Sequence, residues 1–441
     1  MIVFAKNVVT LDASRKIIRD AYIKVSGNVI TETGERKNLT GQLEDEIVDA
    51  SSLTLIPGFV QTHIHLCQTL FRGMADDLEL LDWLQLRIFP YENAHNRDSL
   101  KASVRLGLNE LIKGGTTTIL DMGTLRNQDV VFEELISSGM RAFAGKCMMD
   151  SNSLFPSFRN DTKAELEETY RLAKEFHFKN ERVGYGFAPR FALSCTYELL
   201  CETAEMKKDF PGTVMHTHAS ENKGEIEAVR KLYGKENIDF LDSTGLLGDS
   251  CVLAHCIHLN DDEIKIIRKR DTAISHCPSS NLKLGSGIAN IPKYLKEGIK
   301  VSIGADGAPC NNNLSALTEA RLAALLQKPF HGPTSMDAFT VLKLATLDGA
   351  RALGLDSVTG SIEPGKKADF ILIDINNYNK GLNESDEGIC SNIVYAASDS
   401  DIAYTFIDGK CVYQKGVKEV YDQEELLADA KNQKNKLPGR V

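Results

Sequence analysis

Pro57-Gly58-Phe59-Val60-Gln61-Thr62-His63-Ile64-His65 is the stretch on which the fold turns. Apolar Leu53, Leu55 and Ile56 lead into Phe59 and Val60, so the segment reads as a short buried strand ending in His-x-His. Strand residues alternate faces, which puts His63 and His65 on one side and Ile64 on the other. Two imidazoles at one strand end can grip a divalent metal. A lone pair of this kind is also met as ordinary core or surface histidines, so the later strands have to decide.

Working outward, short apolar strands alternate with helical stretches from about 57 to 355. TTTILDM (116–122) follows a helix-like run that Gly114-Gly115 stops. RAFAGKCMMD (141–150), RVGYGFAPR (182–190), GTVMHTH (212–218), CVLAHC (251–256), TAISHC (272–277) and KVSIGAD (300–306) come next. With the opening strand this makes eight β-α units, the pattern of a closed parallel (β/α)8 barrel of the TIM type, an α/β fold. His63, His65, Asp121, Arg190, His216, His218, His255, His276 and Asp306 all fall at or near strand C-terminal ends, the face that carries chemistry in such barrels.

The flanks read differently. IVFAKNVVTLD, AYIKVSGNVITETG with a turn at Gly27-Asn28, and EIVDASSLTLI are β-rich but too small to close a core alone. GSIEPGKKADFILID and IAYTFIDGKCVYQKG, with a turn at Asp408-Gly409, supply matching pieces at the other end. The expected organisation is a small discontinuous β-sandwich from 1–56 and 361–441, with the barrel (57–360) inserted and a polar helix over 423–436.

Composition limits the function. The 441 residues carry a net charge of −10, against a nucleic-acid binder, which needs a basic footprint. No apolar run approaches the roughly 20 residues of a membrane span, and MIVFAKNVVT has no signal-peptide pattern. The ten scattered cysteines include no Cys-x-x-Cys, as expected of reduced thiols in a cytoplasmic protein. Cys67, Cys256, Cys277 and Cys310, near proposed site residues, read as small buried hydrophobes.

His63, His65, His218, His255 and Asp306, with Glu221 three residues beyond His218, suit one divalent metal and its water. Metal binding draws the pKa of water down towards about 7. Asp306 could ligate and accept the water's proton, Glu221 could carry a proton to a leaving group, and His276 could hold developing negative charge.

The set PGFVQTHIH, HTHASEN, LAHC, SHCPSSNLKLGSGIA and GADGAPCNNNL resembles the amidohydrolase superfamily, in its aminohydrolase and chlorohydrolase branch. The branch includes deaminases of methylthioadenosine, S-adenosylhomocysteine and 5′-deoxyadenosine, guanine deaminase and triazine hydrolases. The resemblance covers essentially the whole chain. It implies one metal (zinc, or iron or manganese) on His63, His65, His218 and Asp306, with His255 approaching the metal or its water, and Glu221 and His276 catalytic beside Asp306. Binuclear relatives carry a modified lysine at the fourth strand end; GYGFAPR has none, and Lys146 on the preceding strand is a poor substitute.

Substrate signals divide. ADDLELLDWLQLRIFPYE resembles the adenosine-type deaminases, in which the residue matching Glu92 holds ribose hydroxyls and Trp83 would offer an aromatic wall. Arg190 stands where those enzymes usually carry His; Arg190-Phe191, with Gln68, is similar to guanine deaminase, where Arg and Phe clamp the purine. Asn281 and Lys283 are read as loop-shaping. The expectation is a metal-dependent deaminase of an aminopurine in purine metabolism, first of adenosine-type nucleosides (5′-deoxyadenosine, methylthioadenosine, S-adenosylhomocysteine). Guanine, 8-oxoguanine or a pterin comes second, and triazine dechlorination third. The partner is then a purine-like small molecule, without nucleic acid or membrane. Barrels of this sort often associate through side helices, so a homo-oligomer is compatible.

Overall fold

The computed structural model describes residues 1–40, 46–376, 380 and 382–440. Four strands open the chain: β1 (Ile2–Val9), β2 (Ile17–Ser26), β3 (Val29–Glu35) and β4 (Ile47–Pro57). The central run holds β5 (Phe59–His65), β6 (Thr116–Asp121), β7 (Arg141–Ala144), β8 (Cys147–Met148) and β9 (Val183–Pro189). It continues with β10 (Val214–Ala219), β11 (Cys251–His255), β12 (Ala273–His276), β13 (Val301–Ile303) and β14 (Asp306–Gly307). Last come β15 (Phe370–Ile373), β16 (Ile402–Ile407) and β17 (Lys410–Gln414).

Both chain ends enter one seven-stranded sheet, ordered β17-β16-β15-β4-β1-β2-β3. Every pair is antiparallel except β1–β4, which is parallel. The two expected turns fall where glycine relieves a left-handed backbone: Gly27 has φ +61°, and Asp408-Gly409 has φ +54° and +75°, the primed hairpin geometry. Val3, Val8, Ile23, Ile30, Leu55, Phe370, Leu372 and Phe406 form the sheet's core, drawing on both ends of the sequence.

The second sheet closes on itself. β5, β6, β7, β9, β10, β11, β12 and β13 pair in ring order, and β9–β10 completes the circle at Val214–Gly186 and Met215–Phe187. Registered pairs such as Ala219–His255 and His276–Ile303 bring the strand ends to one rim. Inside, Thr62 Oγ1 lies 2.7 Å from Ser275 Oγ and 2.6 Å from Ser302 Oγ, so three strands meet through hydroxyls that satisfy one another. A Cβ on Gly304 would stand 2.7 Å from the His63 carbonyl oxygen, so glycine is required for β5 to run this close.

By spatial contact the residues fall into two units: Met1–Gln61 with Asn109–Thr118 and Ser315–Val420, and Thr62–Leu108 with Ile119–Leu314 and Tyr421–Val441. The helix Gln423–Lys436 belongs to the second unit, where Ala430 and Leu437 pack with Leu70, Phe71 and Ala102. No helix among the described residues is long and apolar enough to cross a membrane.

Candidate active site

His63 and His65 leave β5 on one face, as the alternation requires, and meet Asp306, which the β14–β5 pairing sets opposite Ile64. Asp306 Oδ1 lies 3.2 Å from His63 Nε2 and 3.3 Å from His65 Nε2. His65 Nε2 is 3.2 Å from His218 Nε2. All four residues can place one donor atom within 4.8 Å of the others. Donors held about 2.0–2.2 Å from a tetrahedral ion stand about 3.3 Å apart, close to these spacings.

The proton arrangement points the same way. His218 Nδ1 is 2.7 Å from the Arg190 carbonyl oxygen, which can only accept, so Nδ1 carries the hydrogen and Nε2 presents a lone pair. His63 Nδ1 lies 2.8 Å from His216 Nε2, and His63 Nε2 is buried without a hydrogen-bond partner. Burial pushes His63 below the ordinary imidazole pKa, and His65 and His218 well below it. Burial alone would raise Asp306, but the facing His63, His65 and His255 together hold it well below the usual carboxylate range. Neutral imidazoles crowded against an ionised carboxylate, with lone pairs converging, fit a divalent cation.

Around this cluster lie groups that can move protons. Glu221 Oε2 is 3.5 Å from His255 Nε2, and Glu221 Oε1 is buried without a partner. Burial first, then the charges of Asp306 and Glu225, push the Glu221 carboxyl well above its ordinary range. Its backbone is held beside a capping box: Glu225, which caps Asn222 N as the helix Lys223–Tyr233 starts, also accepts from Glu221 N through Oε2 at 2.9 Å. His255 Nε2 stands 3.9 Å from Asp306 Oδ2, farther than the His63 and His65 contacts. His276 has both ring nitrogens buried without partners, and burial brings it down to about 3.

Backbone strain collects at this rim. Ser220, His255, Cys256 and Asp306 have φ of +50°, +72°, +47° and +62°. Each such residue costs about 1–3 kcal/mol unless its surroundings enforce it. Two residues that sequence reasoning did not assign to the site support it directly. Ser280 Oγ donates to Asp306 Oδ2 at 2.7 Å, leaving Oδ1 for the imidazoles, and Asn281 Oδ1, read as loop-shaping, lies 2.8 Å from His255 Nδ1. Asp121 accepts from Leu66 N at 2.8 Å and Gly123 N at 2.9 Å, pinning the turn that follows His65.

A pocket with about 400 Å³ of empty space, part of it open to solvent, adjoins the cluster. Gln68, Trp83, Arg190, Phe191, His65, His218, His255, Glu221 and Asp306 line it, while Glu92 sits behind Arg190. Arg190 Nη1 and Nη2 hold the two Glu92 carboxylate oxygens at 2.7 and 3.2 Å, and Gln68 Nε2 donates to Glu92 Oε1 at 2.7 Å. The residues carrying the divided substrate signals are thus partners of each other. Gln68 Oε1 and Trp83 Nε1 are buried without partners. Lys146 is turned onto buried Glu165, away from the cluster. Cys67, Cys256, Cys277 and Cys310 are all buried.

Residues 54–412 match the amidohydrolase family. A 5-methylthioadenosine/S-adenosylhomocysteine deaminase of Bacillus cytotoxicus is 36% identical over 433 residues, 98% of each chain. A zinc-bound adenosine deaminase from Xanthomonas campestris superposes with a TM-score of 0.92 at 27% identity, covering 99% of this chain and 98% of that one. The Escherichia coli guanine deaminase superposes at 0.84 with 30% identity, covering 94% and 100%. With a barrel carrying its histidines and aspartate at the strand ends and these matches along nearly its whole length, the chain belongs to the amidohydrolase family.

Proposed function

We propose that the protein is a metal-dependent hydrolase that removes the amino group from an adenosine-type nucleoside, releasing ammonia. The observation that carries the proposal is a carboxyl group, Glu221, lining the same cavity as His65, His218 and Asp306, three of the four converging donors that include His63. In this reading residues 57–360 carry the chemistry. Zinc is the metal of choice, since nitrogen and carboxylate donors suit it, with iron or manganese able to substitute. The metal supplies Lewis acidity that makes water a nucleophile near neutral pH. A second ion on His65, Cys67 and Glu92, whose donors also approach one another, would have to displace the Arg190 cation and ionise a thiol that burial holds well above its ordinary pKa.

The residues of the chain divide the remaining work. Asp306 accepts a proton from the attacking water, with its carboxylate oriented by Ser280. Glu221 delivers its proton to the ring nitrogen beside the reacting carbon, takes up the proton of the adduct's hydroxyl as the carbonyl forms and passes it to the amine, which departs as ammonia, while the proton held by Asp306 returns to Glu221. His255 and His276 face the developing negative charge. Phe191 and Trp83 flank the ring, and Gln68 Oε1 accepts from a substrate N–H or O–H. Glu92, the counterpart of a ribose-holding carboxylate, would act on the sugar only by loosening its pair with Arg190.

A second reading, deamination of guanine, 8-oxoguanine or a pterin, is favoured by Arg190, Phe191 and Gln68 lining the cavity together. Ammonia release from 5′-deoxyadenosine, methylthioadenosine, S-adenosylhomocysteine, adenosine, guanine and 8-oxoguanine separates the two. The first reading expects turnover confined to the nucleosides and lost on chelation; turnover of free guanine alone replaces it by the second. The free cysteines and the charge of −10 support a cytoplasmic enzyme acting without nucleic acid.

A further inference from the structure

The three imidazoles of the donor group are held from behind in three different ways. His218 Nδ1 faces a main-chain oxygen, that of Arg190, at 2.7 Å. His65 Nδ1 is buried with no hydrogen-bond partner. Of the three, only His63 Nδ1 meets another side chain, His216 Nε2, at 2.8 Å. His216 stands on β10 two residues before His218, so both leave the strand on one face. It is fully buried, and its own Nδ1 finds no partner. It does not line the pocket, so any effect it has on the reaction passes through His63.

We propose that His216 is a positioning residue: its Nε2 accepts the Nδ1–H of His63 and so keeps the lone pair of His63 Nε2 turned to the donor cluster. The inference rests on the metal-dependent reading above. One hydrogen lies between the two rings, and either ring could supply it. His63 Nε2 stands 3.2 Å from Asp306 Oδ1 among the four converging donors, and an ion there takes a bare ring nitrogen. A neutral His63 then carries its hydrogen on Nδ1 and donates it to His216 Nε2. With the donor reversed, the hydrogen of His63 would move to Nε2 and close that position to a cation. His216 in turn keeps its own hydrogen on the partnerless Nδ1, a buried donor left unmet. An apolar side chain at 216 would avoid that cost, so the ring is accounted for by what its Nε2 does for His63.

The test measures the zinc affinity of the full chain by competition with a chelator, apart from turnover, for wild type, His216→Met and His216→Gln. Gln can present its Oε1 to His63 Nδ1, whereas Met fills the space without a strong acceptor. We expect Met to weaken zinc binding by about 10- to 100-fold and Gln to recover most of that loss. Zinc held by the Met variant within about tenfold of wild type, or no more tightly by Gln than by Met, overturns the role of His216 and leaves the metal-dependent reading standing. Nitrogen NMR of histidine-labelled, zinc-loaded wild type reads the same point without a substitution. There His216 should carry its hydrogen on Nδ1 and show a bare Nε2; a hydrogen on Nε2 overturns the proposal. A wild-type chain that takes up no zinc removes the metal-dependent reading, and the role of His216 with it.

Discussion

At the scale of single residues, the roles separate by what each side chain touches. Glu221 lies in the cavity but outside the four-donor group, so Glu221→Gln should keep the metal and lose the proton carrier. We expect kcat to fall by about 10²–10⁴ with metal content near one per chain, checked by elemental analysis beside steady-state kinetics. Ser280 Oγ donates to the second oxygen of Asp306, so Ser280→Ala should lower kcat by about tenfold with little change in KM; an unchanged kcat would show that the hydroxyl does not orient the carboxylate. The histidines and Asp306 were legible in the sequence because strand alternation and strand ends place side chains by counting. The pairing of Glu92 with Arg190 was not, because the two stand 98 positions apart and their meeting depends on side-chain geometry. Ser280 was hidden for a similar reason: nothing in SHCPSSN says which hydroxyl turns towards Asp306.

Among elements, the eight strands and both tight turns follow from apolar runs and from Gly27 and Asp408-Gly409. The tail helix was legible as a helix but not as a packed one, because its few apolar positions, Leu426, Ala430 and Leu437, give weak periodicity. It meets the segment Leu66–Phe71, which carries Gln68, through Ala430 and Leu437. Gly304, just past β13, governs how near β5 can lie. In Gly304→Ala the added carbon would meet the His63 backbone at 2.7–2.9 Å, so β5 and its two histidines must shift. The expected outcome is a loss of about 1–3 kcal/mol of stability together with weakened metal retention, read by thermal unfolding and dialysis against a chelator.

For the molecule as a whole, half-buried His95 sets part of the acid limit. Its Nε2 lies 2.7 Å from the Cys67 carbonyl and its Nδ1 3.0 Å from Ser99 Oγ, so the ring is neutral and hydrogen-bonded on both sides. Burial lowers it to about 4, against the raising effects of the Cys67 carbonyl and Glu92. Because the folded value is depressed, this contribution is present above about pH 6.5 and is lost as the pH falls through about 4. It amounts to about 3 kcal/mol at most, and His95→Gln should flatten that part of the stability–pH curve in denaturant titrations from pH 7 to 4. The barrel could be read at this scale because its strand ends share one chemistry. The joining of 361–420 with the N-terminal sheet was expected from the matching β-rich pieces, but the grouping of 315–360 with it was not, since contact partners lie far apart in sequence.

Position 190 has two faces that can be varied separately. Its main-chain oxygen grips His218, and any amino acid supplies that atom; its guanidinium pairs with Glu92 and shapes the wall that the ligand meets. A library of replacements there, made with a compensating change at Glu92, would retune molecular recognition while the ion-holding scaffold stays loaded, giving laboratory evolution of new specificities an entry point at no cost to the catalytic centre.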